Sequence, residues 1–109
     1  PDIPTDSNVR TIAEEITREK IFLQLHRELP YSVKVETDSW QEDDDCVTIY
    51  HSIYLLKPSQ KKILLGKSGN KIKTIGTAAR HEISEMLGKK VRLFLHAKVR
   101  EDWIDRDFD

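Results

Sequence analysis

The sequence predicts an α+β domain with element order α-β-β-α-α-β and its helices on one face of a small sheet. Three observations lead there. Apolar residues recur at helical spacing over 6–29 and again over about 70–87. They alternate at period two over 31–39, 46–56 and 91–99. The breaks between these segments fall at Pro30, Pro58 and Gly88, residues that end helices or strands. A chain of 109 residues forms one domain, 1–109, burying somewhat over ~60% of its unfolded surface.

The first helix has Asp6 or Ser7 as N-cap, apolar positions at Val9, Ile12, Ile16, Ile21, Leu25 and Leu29, and Pro30 as its end. In the first strand Val33 and Val35 face one way and Ser32, Lys34 and Glu36 the other. Glu42–Asp45 is a run of acids, expected as a hairpin loop because like charges repel in a packed element. The second strand sets Val47, Ile49, Ile53 and Leu55 against Thr48, Tyr50, Ser52 and Tyr54. Residues 59–66 suit a strand or a short helix; Ser59 after Pro58 is a fair N-cap and favours the helix. The long helix, about Asn70 to Leu87, carries a stripe of Ile72, Ile75, Ala79, Ile83, Met86 and Leu87, with Gly88 as its C′ residue. Gly76 inside it costs roughly 1 kcal/mol relative to Ala, which points to close approach of another element. The last strand puts Val91, Leu93, Leu95, Ala97 and Val99 inside and Arg92, Phe94, His96 and Lys98 outside. Tyr50, Tyr54 and Phe94 lie opposite the aliphatic face; packing on the first helix is the expected reason, base stacking the alternative.

Charge is nearly balanced overall, 18 Lys+Arg against 19 Asp+Glu, but it is strongly segregated. From Cys46 to His81 there is no acid, only Lys57, Lys61, Lys62, Lys67, Lys71, Lys73 and Arg80; Lys89, Lys90 and Arg92 follow, and the tail after Arg100 is acidic again. Local charge sets the local field, so one face can be strongly positive in a near-neutral protein. The longest aliphatic run, Ile63-Leu64-Leu65, is far too short for a membrane span. A single cysteine, Cys46, excludes an internal disulfide framework and fits a reducing compartment. His26, His51, His81, His96 and Cys46 have no metal-ligand spacing, and no nucleophile–base set stands out. The expectation is therefore no metal, no cofactor and no catalysis.

Gly66-Lys67-Ser68-Gly69 precedes the long helix. It is not a nucleotide-binding P-loop, which would need glycine where Lys61 stands. Glycines here let the backbone approach a phosphate, and the uncapped amides of a helix start favour an anion.

Residues Ile63 to Ile72, with this Gly-x-x-Gly at their centre, resemble the K-homology (KH) signature, in which the loop clamps four single-stranded nucleotides. The helix and strand placed before the β-α-α-β unit resemble the type II arrangement. Ile16–Lys20, Glu28–Val33, Gln60–Lys62, Lys71–Gly76 and Lys98–Trp103 look like the C-terminal domain of the Era family of bacterial GTPases. The resemblance covers nearly the whole chain except Trp40–Asp45. It implies a type II KH fold with a three-stranded mixed sheet, and a fragment of a longer parent whose GTPase domain is absent here. It also implies single-stranded RNA as partner, at the 3′ end of small-subunit ribosomal RNA during ribosome assembly. The same resemblance implies a cytoplasmic location with peripheral inner-membrane association of the parent; no DNA partner is expected. On this reading Gly66, Lys67, Ser68 and Gly69 hold the sugar-phosphate backbone. Lys61, Lys62, Lys71 and Lys73 join Lys67 in the electrostatic attraction, and Ile63, Leu64, Ile72 and Ile75 wall the groove. The rival reading is a protein-interaction domain that docks the parent's GTPase half or another assembly partner.

Overall fold

The computed structural model describes residues 6–29 and 33–100, with the side chains of Asp6 and Ser7 excepted. Helix α1 spans Asp6–Leu25. It ends earlier than its apolar pattern suggests, because Leu25 O accepts from both Glu28 N (3.0 Å) and Leu29 N (2.9 Å), a tightening turn that still buries Leu29. The backbone of Asp6 and Ser7, the expected caps, already lies within α1; their side chains, the helix end at Pro30 and the strand start at 31–32 lie outside the described residues. Along α1 the buried positions are Ala13, Ile16, Thr17, Ile21 and Leu25, while Ile12, expected inside, is exposed. A 3.6-residue period centred on Ala13 and Thr17 rotates Ile12 out of the seam.

Strand β1 (Lys34–Glu42) pairs antiparallel with β2 (Cys46–Leu55), and β2 pairs parallel with β3 (Lys90–Val99). The order β1-β2-β3 leaves β3 on an edge. A bulge at Asp38 shifts the register between Thr37 and Ser39, so Trp40 instead of Ser39 turns toward the core. Such a one-residue insertion reverses the faces beyond it. Helix α2 (Pro58–Leu65) settles the ambiguous segment as helix. Its N-cap is Lys57, not Ser59: proline takes the first helical position, where its missing N–H is no loss. Gln60 Oε1 then accepts the amides of Leu56 (2.9 Å) and Lys57 (3.2 Å). Helix α3 runs Asn70–Leu87 and stops at Gly88, whose φ of 68° is left-handed and whose amide donates to Ser84 O at 2.9 Å.

The helices cover one face of the sheet. One half of the core joins Ile21, Leu25, Val35, Ile53, Leu55, Leu64 and Ile75. The other joins Ala13, Ile16, Val47, Ile49, Ala79, Ile83 and Val91. Met86, expected in the stripe of α3, is exposed. His51 is fully buried on the inner face of β2, where its Nδ1 shares a 3.1 Å hydrogen bond with the Thr17 hydroxyl. Burial pushes its pKa down to about 4, only partly opposed by the Asp38 charge. Tyr50, Tyr54 and Phe94 do not pack on α1. They lie on the opposite, open face of the sheet, with Tyr50 41% and Phe94 46% exposed.

Candidate nucleic-acid interface

The link from α2 to α3 is built from backbone conformations that few residues tolerate. Gly66 has φ 73°, ψ −177°; Ser68 has φ 56°, ψ 28°; Gly69 has φ 76°, ψ 11°. The first of these is essentially closed to any residue with a Cβ. A Cβ at Gly66 would also fall 2.5 Å from Lys71 Cβ and 2.9 Å from Lys71 N. Gly66 is thus required twice, by its torsions and by the approach of α3. Gly69 faces open space and is required only by its left-handed torsions. Its amide donates to Gly66 O at 3.2 Å and the Asn70 amide to Lys67 O, which closes a single 3-10 turn. Lys67 and Ser68 are exposed at its tip.

Gly69 is also the N-cap of α3, and no side chain caps this helix start. Apart from the Asn70 amide, taken by Lys67 O, its leading amides lie at the positive end of the dipole with no side-chain cap, a setting that favours an anion. None of the ion pairs among the described residues involves Lys61, Lys62, Lys67, Lys71 or Lys73. The nearest following acid in sequence, Glu82, is held by Lys20 at 2.5 Å. The positive charge around the loop is therefore not neutralised by these pairs.

Between α3 and the edge strand β3 lies an open groove of about 250 Å³. Ile72, Lys73, Gly76, Thr77 and Arg80 line it from α3, and Leu93, Phe94 and Leu95 from β3. A Cβ at Gly76 would meet Leu95 Cδ1 at 3.5 Å, an ordinary contact. Leu95 of β3 thus approaches Gly76 as expected, though at a distance that would tolerate a Cβ; the missing side chain leaves room in the groove. An apolar wall with a basic rim beside an anion-receptive loop can hold a base against the wall and a phosphate at the loop.

The expected site residues divide clearly. Gly66, Lys67, Ser68 and Gly69 form the turn. Lys62 and Lys73 are exposed near it and Lys61 and Lys71 half-buried. Ile72 lines the groove. Ile63 is half-buried against the core. Leu64 and Ile75, expected as groove walls, are fully buried and present no surface to a ligand. Ile75 sits on the same stripe as Ala79 and Ile83, facing α1 and the sheet, whereas Ile72 lies at its margin. Sequence reasoning missed Gly76, Thr77 and Arg80 as lining residues. A signal existed: 72, 73, 76, 77 and 80 form a second stripe at helical spacing. No local signal marks Leu93, Phe94 and Leu95, whose place depends on sheet order. A separate hollow of about 330 Å³ along α1 mixes Arg18 and His26 with Glu15 and Glu19, a poor match for a polyanion.

Residues 28–104 match the family model of the KH domain. GTPase Era of Sinorhizobium medicae is 57% identical over 102 residues, covering 93% of this chain and 33% of that protein. GTPase Era of Agrobacterium fabrum is 55% identical over 102 residues, covering 93% and 32%. The chain thus spans about a third of the length of the curated relatives it matches. An Aquifex aeolicus Era variant bound to GDP.AlF4- superposes with TM-score 0.84 at 34% identity, over 96% of this chain and 35% of that one. Era in complex with MgGDPNP and nucleotides 1506–1542 of 16S ribosomal RNA gives TM-score 0.85 at 34% identity, over 97% and 37%. The matched stretch is the C-terminal part of Era, the KH domain and not the GTPase domain.

Proposed function

The chain belongs to the KH domain family, and on that premise we propose that it holds single-stranded RNA with the Gly66–Gly69 turn and the α3–β3 groove. The observation that carries this reading is the turn itself. Three positive-φ residues within four positions, Gly66, Ser68 and Gly69, keep an uncapped helix start open beside lysines that form none of the ion pairs described. Phosphates sit at the turn, Lys67, Lys71 and Lys73 supply attraction, and bases lie against Ile72 and the β3 side of the groove. The target is the 3′ end of small-subunit ribosomal RNA, read during assembly of the small subunit. This is supported by the likeness to an Era structure carrying 16S ribosomal RNA. With the target go a GTPase half of the parent as intramolecular partner and a cytoplasmic location with peripheral contact to the inner membrane.

Charge reversal tests the clamp. In Lys67→Asp/Ser68→Asp both glycines stay, so folding stability should change by only about half a kcal/mol. Affinity for a short single-stranded RNA should fall by well over tenfold, because repulsion replaces attraction in a partly desolvated groove. The control Lys89→Asp/Lys90→Asp changes net charge more but lies at the far end of α3. It breaks the exposed Lys89–Glu42 pair and the 3.4 Å bond from Lys89 Nζ to Asp43 O, surface contacts worth little, and should weaken binding far less. Equal losses in the two variants would reduce Gly66–Gly69 to an ordinary turn. With about four phosphates neutralised, log K should fall against log salt with a slope of roughly −3.

A further inference from the structure

The sheet has a second surface that the groove does not use. Its open face carries Thr48, Tyr50, Ser52 and Tyr54 from β2 and Arg92, Phe94, His96 and Lys98 from β3. Tyr50 and Phe94 are cross-strand partners, their ring centroids 4.8 Å apart and inclined at 55°. Both remain more than 40% exposed, so neither ring is hidden in the core. Tyr54 is already occupied: the Arg100 guanidinium lies 4.5 Å from its ring centroid and Lys98 Nζ 5.8 Å.

Charge on this face is graded. The acids lie toward β1, where Glu36 pairs with Lys34 at 3.4 Å and Asp38 accepts from the Ser52 hydroxyl and sits 3.9 Å from Lys98 Nζ. The outward row of β3 carries Arg92, Phe94, His96 and Lys98 and no acid. A polyanion matches that edge better than an acidic or apolar protein surface does. The face is also continuous with the groove, because Phe94 borders the groove and pairs with Tyr50 on the open side. As β3 is an edge strand, a strand leaving the groove can cross onto the open face with no helix in its way.

We propose that the open face of the sheet is a second stacking surface for single-stranded RNA, taken up by nucleotides that run on from the groove across β3. A base stacks on Phe94 and the next on Tyr50, while Arg92, His96 and Lys98 attract the phosphates. Exposed aromatic rings on a sheet beside bases are the sequence-tolerant means of holding single strands. This inference rests on the RNA-binding reading of the groove and extends it beyond the nucleotides held there.

The test compares oligonucleotides of about four and about twelve residues on the 109-residue chain. Affinity should rise by more than tenfold with length. Tyr50→Ala should remove most of that rise, about tenfold for one lost stack, and leave the short oligonucleotide unaffected, since Tyr50 does not line the groove. Tyr50→Trp should restore the gain, which separates stacking from a general loss of structure. The proposal is overturned if length brings no gain, or if Tyr50→Ala retains it. A concentration-dependent dimer broken by Tyr50→Ala and indifferent to RNA would assign the face to a second copy and overturn it as well. If the short oligonucleotide binds and responds to Lys67→Asp/Ser68→Asp, such a failure concerns the sheet face alone. If it does not bind, the groove reading fails and the sheet face falls with it.

Discussion

Two tight, charged turns lie at different places in this fold and do opposite things with their charge. The acidic hairpin engages two of its four acids, Glu42 and Asp43, within the fold. Asp43 Oδ1 accepts the amides of Asp45 (2.9 Å) and Cys46 (2.8 Å), Asp43 N donates to Cys46 O at 3.0 Å, and Glu42 accepts from Lys89 Nζ at 3.0 Å. These bonds hold the carboxyls of Glu42 and Asp43 below their ordinary range. The basic turn at Gly66–Gly69 leaves the helix start uncapped, and its lysine enters none of the ion pairs described. A charge run that finds its partners inside the fold is a structural element. One left outside the ion pairs beside an uncapped helix start presents its charge to solvent, where an anion is favoured.

The comparison breaks most severely at Gly66. Gly66→Ala places a Cβ against Lys71 in a conformation reserved for glycine, and should destabilise the fold by about 3 kcal/mol. Gly69→Ala meets no atom and should cost only ~1 kcal/mol. Denaturant unfolding of both variants separates the two requirements; equal losses would mean that torsion alone governs the turn.

His51 extends the comparison to the core, where a polar group has no ligand to await. Its Nε2 has no hydrogen-bond partner among the described residues. Its pKa falls from 6.5 to about 4 on folding, so between those values the unfolded chain binds a proton that the native core refuses. Stability should be full above about pH 6.5 and decline as pH falls toward 4, by at most ~3 kcal/mol. Denaturant unfolding at about pH 7 and about pH 5 should show the loss, and His51→Leu should flatten it. A wild-type profile no steeper than that of His51→Leu would remove His51 as its cause.

The smallest effect sharpens the contrast from the acidic side. Replacing Glu42, Asp43, Asp44 and Asp45 by their amides should lower the melting temperature, because Asp43 and Glu42 lose their charge-assisted bonds. RNA affinity should change by less than tenfold, ~1.4 kcal/mol. A larger gain would show that the hairpin repels the ligand at close range.

What could be read directly from the chain was local. The period of α3 and the glycines at 66, 69 and 88 mark helix and turn within a few residues of sequence, and the alternation of β3 names its two faces, because torsions and periodicity are short-range properties. The basic tract and the Gly-x-x-Gly turn were legible for the same reason. Tertiary structure alone decided which apolar residue borders the groove and which meets the core. Leu64 and Ile75 went inside, Ile72 stayed at the margin, and Phe94 came to border the groove because β3 pairs parallel to β2 on an edge. The Asp38 bulge, which turns Trp40 inward, and the open aromatic face at Tyr50 likewise follow from pairings between residues far apart in the chain. Hydrophobicity sends a side chain out of water, but only long-range packing determines which surface receives it.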